Sequence, residues 1–146
     1  MQDLPHNYRA AANTRPDVDV DLSSPGLPDL ESASPAEYGG PGDKWSPETL
    51  LVAAVADCFV LTFKVIASAS KFQWSSLKCE VEGVLDREDK VTRFVGFHIR
   101  AVLDVPGGAD EARAKRLLEK AEQNCLITSS LTAGATLESE VRTSAL

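Results

Sequence analysis

The stretch Ser46-Pro47-Glu48-Thr49-Leu50-Leu51-Val52-Ala53-Ala54-Val55-Ala56-Asp57-Cys58-Phe59 decides the fold. Ser46 is a good N-cap, and Pro47 suits the first helical position because its missing N–H would go unpaired there anyway. Glu48 complements the positive end of the helix dipole. From Leu50 to Ala69 nearly every position is apolar or small, so a long helix is predicted over residues 46–70. A helix apolar all round is either a core helix or a membrane span. Asp57 and Lys64, with serines and threonines along the segment, speak against a span because charge in mid-bilayer is costly. A central core helix is expected.

Outward from that helix the pattern changes to a period of two. Residues 1–44 read as strands and loop. Val18-Asp19-Val20-Asp21-Leu22 alternates apolar and acidic, as a half-buried strand requires. Asn13-Thr14-Arg15-Pro16 turns the chain between it and a short segment around Tyr8–Ala12, and Gly39-Gly40-Pro41-Gly42 forms a loop before the helix. Past the helix, Leu77–Leu85 carries apolar residues at odd positions. In Val91–Val105 the residues Val95, Phe97, Ile99, Ala101, Leu103 and Val105 share one predicted face. The polar run Asp86–Lys90 joins the two as a hairpin over 77–105. Ala114, Leu117, Leu118, Ala121 and Cys125 recur three or four apart, so a second helix is predicted over 110–125. A last strand over 135–142 turns Leu137 and Val141 inward. The expectation is one α+β domain over 1–146.

At 146 residues and 43% hydrophobic content the chain can bury a real core. Its 15 basic residues against 22 acidic ones, net −7, argue against nucleic acid as a partner. The opening Met1-Gln2-Asp3-Leu4-Pro5-His6 has neither the charged nor the apolar region of a secretory signal. Three cysteines in that context point to a reducing compartment, the cytoplasm by default.

Cys58 and Cys125 draw attention because they lie on helices expected to face one interior. If the fold joins them, one could attack and the other resolve in thiol–disulfide chemistry. The plainer reading of each is a small buried hydrophobe, and Cys79 reads as core. Apolar burial raises a thiol's pKa, and a neighbouring Asp57 would raise it further, so reactivity at Cys58 is expected to need a cation. Arg15 and Arg9 are the ones on offer. His6 and His98 show no metal-ligand spacing, and no phosphate-cradling loop is present.

Tyr38-Gly39-Gly40-Pro41-Gly42, Ser46-Pro47-Glu48-Thr49-Leu50-Leu51, Asp57-Cys58-Phe59 and Glu122-Gln123-Asn124-Cys125 together resemble the OsmC/Ohr family of thiol peroxidases. The likeness runs from about Tyr8 to the C-terminus. It implies an OsmC-like fold with antiparallel sheets wrapped around a long central helix, assembled as an intertwined homodimer. It also implies reduction of organic hydroperoxides in oxidative-stress defence, without metal or flavin cofactor and with no membrane partner. Cys58 would be the peroxidatic thiolate and Cys125 the resolving thiol. Glu48 would orient an arginine, Arg15 with Arg9 as the alternative, and an external dithiol would restore the thiols. Val55, Phe59, Leu61 and Phe63 would wall the site and favour organic peroxides. Ten residues at about 1.5 Å each put Glu48 about 15 Å from Cys58 along the helix, so Glu48 must act through a long arginine or on a partner subunit. Two departures stand out, Leu126 where proline commonly follows the second cysteine and Asp57 where a small residue is common. The alternatives are a non-catalytic dimer that binds a hydrophobic ligand or senses stress, and a one-cysteine peroxidase that keeps turnover without Cys125.

Overall fold

The computed structural model describes residues 1–144. Two compact units form, Met1–Leu50 and Leu51–Leu146, and each is taken on its own. In the first, β1 (Ala11–Asn13), β2 (Val20–Ser23) and β3 (Leu30–Ser32) make an antiparallel sheet in the order β1-β2-β3. The expected hairpin is present, with Arg15 in its turn. β3, unforeseen in the sequence, continues it, and a single bridge joins Ser32 to Trp45. The glycine loop folds back closely: a Cβ on Gly40 would lie 1.6 Å from the Ser34 carbonyl oxygen, so only glycine fits.

Helix α1 spans Pro47–Ala69, within a residue of its predicted limits. Ser46 caps it as expected, and the cap is reciprocal. The Thr49 N–H donates to Ser46 Oγ at 3.1 Å, and the Ser46 N–H donates to Thr49 Oγ1 at 2.8 Å. Two first-turn donors are thereby satisfied. The helix is long and apolar enough to cross a membrane by length and composition. Here it buries one stripe, Val55, Phe59, Phe63 and Ala67, each without exposed surface. The four-residue spacing gives one face; Leu61 and Val65 on α1 are 52% and 67% exposed, so the expected core helix is buried on one side only.

In the second unit β4 (Ser76–Glu88), β5 (Val91–Val105) and β6 (Gly134–Thr143) form a sheet in that order. Helix α2 (Glu111–Gln123) and the short α3 (Leu126–Ser129) connect β5 to β6. β4 and β5 are antiparallel, but β6 runs parallel to β5. The sheet is therefore mixed, not antiparallel as expected. The helical crossover after β5 returns the chain in the same direction, which a hairpin cannot do. The β4–β5 turn is tighter than predicted: Asp89 and Lys90 both take positive φ, 48° and 67°, and pairing continues out to Glu88 and Val91. Two such residues match the twist of the flanking strands.

Two further expectations are corrected. Val84 pairs with Gly96 and Leu85 with Phe94, leaving Val95 as the extra residue of a bulge. The alternation reverses there, so Phe94 rather than Val95 packs on the core, its ring stacked on Phe97 with centroids 5.2 Å apart. Second, α2 stops at Gln123. Asn124 closes it, its N–H and its side-chain amide both donating to the Lys120 carbonyl. Cys125 leaves the helical region with ψ 116° and becomes the N-cap of α3. It does not end α2, although it is fully buried.

Candidate functional site

Cys58 lies near the middle of α1, beside the buried stripe and half-buried itself. The fold brings the start of α3 to it. Cys125 is a free thiol, as is Cys58, and its side chain interacts with the Cys58 sulfur. Two stretches 67 positions apart in the chain thus meet at two sulfur atoms.

Several groups act on that sulfur. Burial pushes the Cys58 thiol up. Against it work the Ile127 backbone N–H, the Cys125 thiol, the Thr62 hydroxyl and the Leu126 backbone N–H. The donors win, and the pKa lies below its ordinary value. Thr62 sits one helical turn on, its Oγ1 3.9 Å from the sulfur. Hydrogen-bond donors that favour the charged form shift a thiol in the same direction as a cation does. Asp57, expected to oppose ionisation, is turned to solvent and is not among the causes.

The expected apolar walls fare differently. Val55, Phe59 and Phe63 have no exposed surface, so they hold the helix on the sheet and cannot touch a substrate. Leu61, 52% exposed, is the one of the four that faces outward. Leu126, 76% exposed, is a second apolar side chain carried by a residue that acts on the sulfur. Sequence reasoning singled out Leu126 only as a departure after the second cysteine, and missed Ile127 and Thr62. Backbone donors leave no side-chain signature, though the i, i+4 spacing of Cys58 and Thr62 was open to view.

Glu48 and Arg15 belong to the first unit. Glu48 Oε2 is buried with no hydrogen-bond partner, on the wall of a cavity of about 450 Å³ that Val20, Leu22, Pro35, Tyr38 and Leu50 also line. Among the described residues the ion pairs are Lys44–Glu31, Lys78–Glu80, Arg93–Glu88 and Arg142–Glu140. None involves Glu48, Arg15 or Arg9. Among the described residues, no three His, Cys, Asp or Glu side chains cluster as metal ligands would.

Cys79 provides a contrast. On β4, half-buried, its thiol is pushed up to about 11, first by burial and then by the nearby Cys125 and Glu80. No donor offsets the burial.

Residues 40–140 match the OsmC-like protein family, and the chain belongs to it. The uncharacterized protein YmaD of Bacillus subtilis (strain 168) is 28% identical over 114 residues, 73% of each chain. An OsmC-like protein of unknown function from Vibrio cholerae superposes with a TM-score of 0.85 at 18% identity, over 93% of this chain and all of that one. An organic hydroperoxide resistance protein OsmC from Legionella pneumophila gives 0.75 at 22%, over 96% and 99%. At such identities the structural likeness is one of fold.

Proposed function

We propose that the protein is a two-cysteine thiol peroxidase that reduces organic hydroperoxides to alcohols. The observation that carries this reading is the Cys58 sulfur, held below the ordinary thiol pKa by donors and next to the Cys125 thiol. Membership of a family that includes organic hydroperoxide resistance proteins supports it.

The cycle balances. The Cys58 thiolate attacks the outer oxygen of R–OOH. The O–O bond breaks, the alkoxide takes a proton to leave as R–OH, and Cys58 becomes a sulfenic acid. The Cys125 thiol condenses with it, water leaves, and a Cys58–Cys125 disulfide forms. An external dithiol then supplies two electrons and two protons, restoring both thiols as it becomes a disulfide. Arg15, or Arg9 in its place, would meet the peroxide or the thiolate, oriented by Glu48.

We also read the protein as a homodimer. The orphaned Glu48 Oε2 supports this, since a buried carboxylate oxygen without a partner is costly. So do Leu61 and Val65, 52% and 67% exposed on one side of α1. A monomer by light scattering at micromolar concentration would refute it. The main test is thiol counting. One equivalent of cumene hydroperoxide should remove two thiols per chain and link the Cys58 and Cys125 peptides by a disulfide. Cys125→Ser should stop at a sulfenic acid. Native chains that keep all three thiols under peroxide would overturn the reading. They would favour instead a non-catalytic ligand binder, for which the apolar cavity beside Glu48 is the supporting observation.

A further inference from the structure

The outward face of the β4-β5-β6 sheet is charged, and its registers set the charges in rows. Glu80, Arg100 and Glu138 stand side by side, then Lys78, Val102 and Glu140, then Ser76, Asp104 and Arg142. On β5 these residues alternate with Ile99, Ala101 and Leu103, which pack in the core with α1 and α2. The rows therefore lie on the side of the sheet away from the helix that carries Cys58. Val102 is the short, apolar member of the middle row. The long side chains beside it are drawn off along their own strands: Lys78 Nζ pairs with Glu80 Oε1 at 3.0 Å, and Arg142 Nε with Glu140 Oε1 at 2.9 Å. A groove of about 250 Å³ is left over Val102, lined also by Lys78, Glu80, Arg100, Asp104 and Arg142.

Among the described residues, two charges in this groove have no opposite charge bonded to them. The Arg100 guanidinium makes no ion pair, although Glu80 and Glu138 flank it in register. Asp104 Oδ2 accepts from the neutral Ser76 hydroxyl at 2.7 Å. Residues 100 and 104 are four apart on one strand, about 13 Å between Cα atoms at about 3.3 Å per residue, and Val102 stands between them. We propose that the groove binds a small zwitterion with an apolar middle, its carboxylate on the Arg100 guanidinium, its ammonium on Asp104 and its carbons on Val102. A guanidinium presents a planar fork that matches a carboxylate. A plain anion would gain from Arg100 but meet Asp104, and a plain amine the reverse. The two unmatched charges thus select a ligand that carries both. Drug-sized ligands take cavities of about 300–1,000 Å³, so the occupant of this one is smaller. The groove faces away from the helix of Cys58 and would stand whatever chemistry that thiol performs.

The test uses three probes of one chain length. ε-Aminocaproate carries a carboxylate and an ammonium at the two ends of an apolar chain, and caproate and hexylamine carry one each. Each is titrated into the whole isotope-labelled protein at low salt, where exposed charges are least screened. The Val102 methyl resonances and the Arg100 and Asp104 amides are followed by NMR. ε-Aminocaproate should saturate these shifts with a Kd about fivefold below that of either single-charge probe, the scale of one exposed charge pair. Arg100→Gln should raise its Kd about fivefold for the same reason. Arg100→Lys should recover part of that loss, because it restores the charge without the fork. Asp104→Asn should bring ε-aminocaproate level with caproate and leave caproate bound no more weakly than before. Shifts that do not saturate, that saturate alike for all three probes, or that persist unchanged in Arg100→Gln would overturn the proposal and leave a solvated, charged sheet face.

Discussion

Cys58 and Cys79 are both half-buried in the second unit, both free and both near Cys125, yet their thiols move in opposite directions. Cys79 is pushed up to about 11 by burial. Cys58 is also penalised by burial but ends below its ordinary value, because two backbone N–H groups, a thiol and a hydroxyl act on it. Partial burial therefore does not decide reactivity here. What decides it is whether the buried sulfur meets donors. Cys79 stands on β4, an edge strand, and no donor offsets its burial. The start of a helix has several, and α3 begins beside Cys58.

The comparison breaks most sharply in turnover. Cys58→Ser should lose peroxide consumption altogether, since the hydroxyl is a far weaker nucleophile than a thiolate. Cys79→Ser should keep it. A coupled assay with a dithiol reductant and cumene hydroperoxide measures both. Equal loss in the two variants would mean that the distinction between the sulfurs is not functional.

Next in size is labelling. At pH 8 Cys79 should react more than about tenfold slower than Cys58, even after allowing for the greater intrinsic nucleophilicity of the more basic thiolate. Its rate should climb steadily toward pH 11. The same shift has a stability consequence. The folded chain keeps the Cys79 proton through pH values where the unfolded chain releases it, from 9.0 to about 11. More protons are then bound in the native state, so stability falls as pH rises through that window. Cys79→Ala should flatten that part of the alkaline arm in urea titrations.

Gly83 joins the two regions. It sits on β4 opposite Phe97, and a Cβ there would lie 2.7 Å from Val52 Cγ2 on α1 and 2.9 Å from Phe94 Cε1. Gly83→Ala should cost about 1–3 kcal/mol through overpacking, read as a lower urea midpoint. By pushing α1 outward it should slow Cys58 labelling more than Cys79 labelling. An unchanged midpoint would show that the helix is less closely seated on the sheet than these distances state.

Much of this arrangement was legible in the sequence, and what was missed has physical causes. The limits of α1 followed from Ser46, Pro47 and the length of the apolar run, and the β4–β5 hairpin from alternation. The bulge was hidden because Phe94 and Val95 are both apolar, so either fits the core face and the change of phase leaves no trace. The break at Asn124 was hidden because Cys125 falls four positions after Ala121 and extends the stripe of α2 in projection. The burial of Val55, Phe59 and Phe63 was readable from their spacing of four, but residues that share a face with the core cannot also line a site. The pair of cysteines was visible as residue types. The donors that separate Cys58 from Cys79 were not, because two of them are main-chain groups that any residue but proline supplies.

The smallest expected effect isolates the hydroxyl that acts on Cys58. Thr62 Oγ1 lies 3.9 Å from the Cys58 sulfur, at the outer limit of a sulfur hydrogen bond. It stands on the same helix, so it stays near the sulfur whatever α3 does. Thr62→Val keeps the shape and removes the hydroxyl. It should slow Cys58 labelling by about twofold, because a long bond to a polarisable acceptor contributes at the low end for hydrogen bonds. Cys79 should not respond, since the hydroxyl is not among the groups acting on it. If Thr62→Val left the Cys58 labelling rate unchanged, the hydroxyl would take no part in preparing the sulfur.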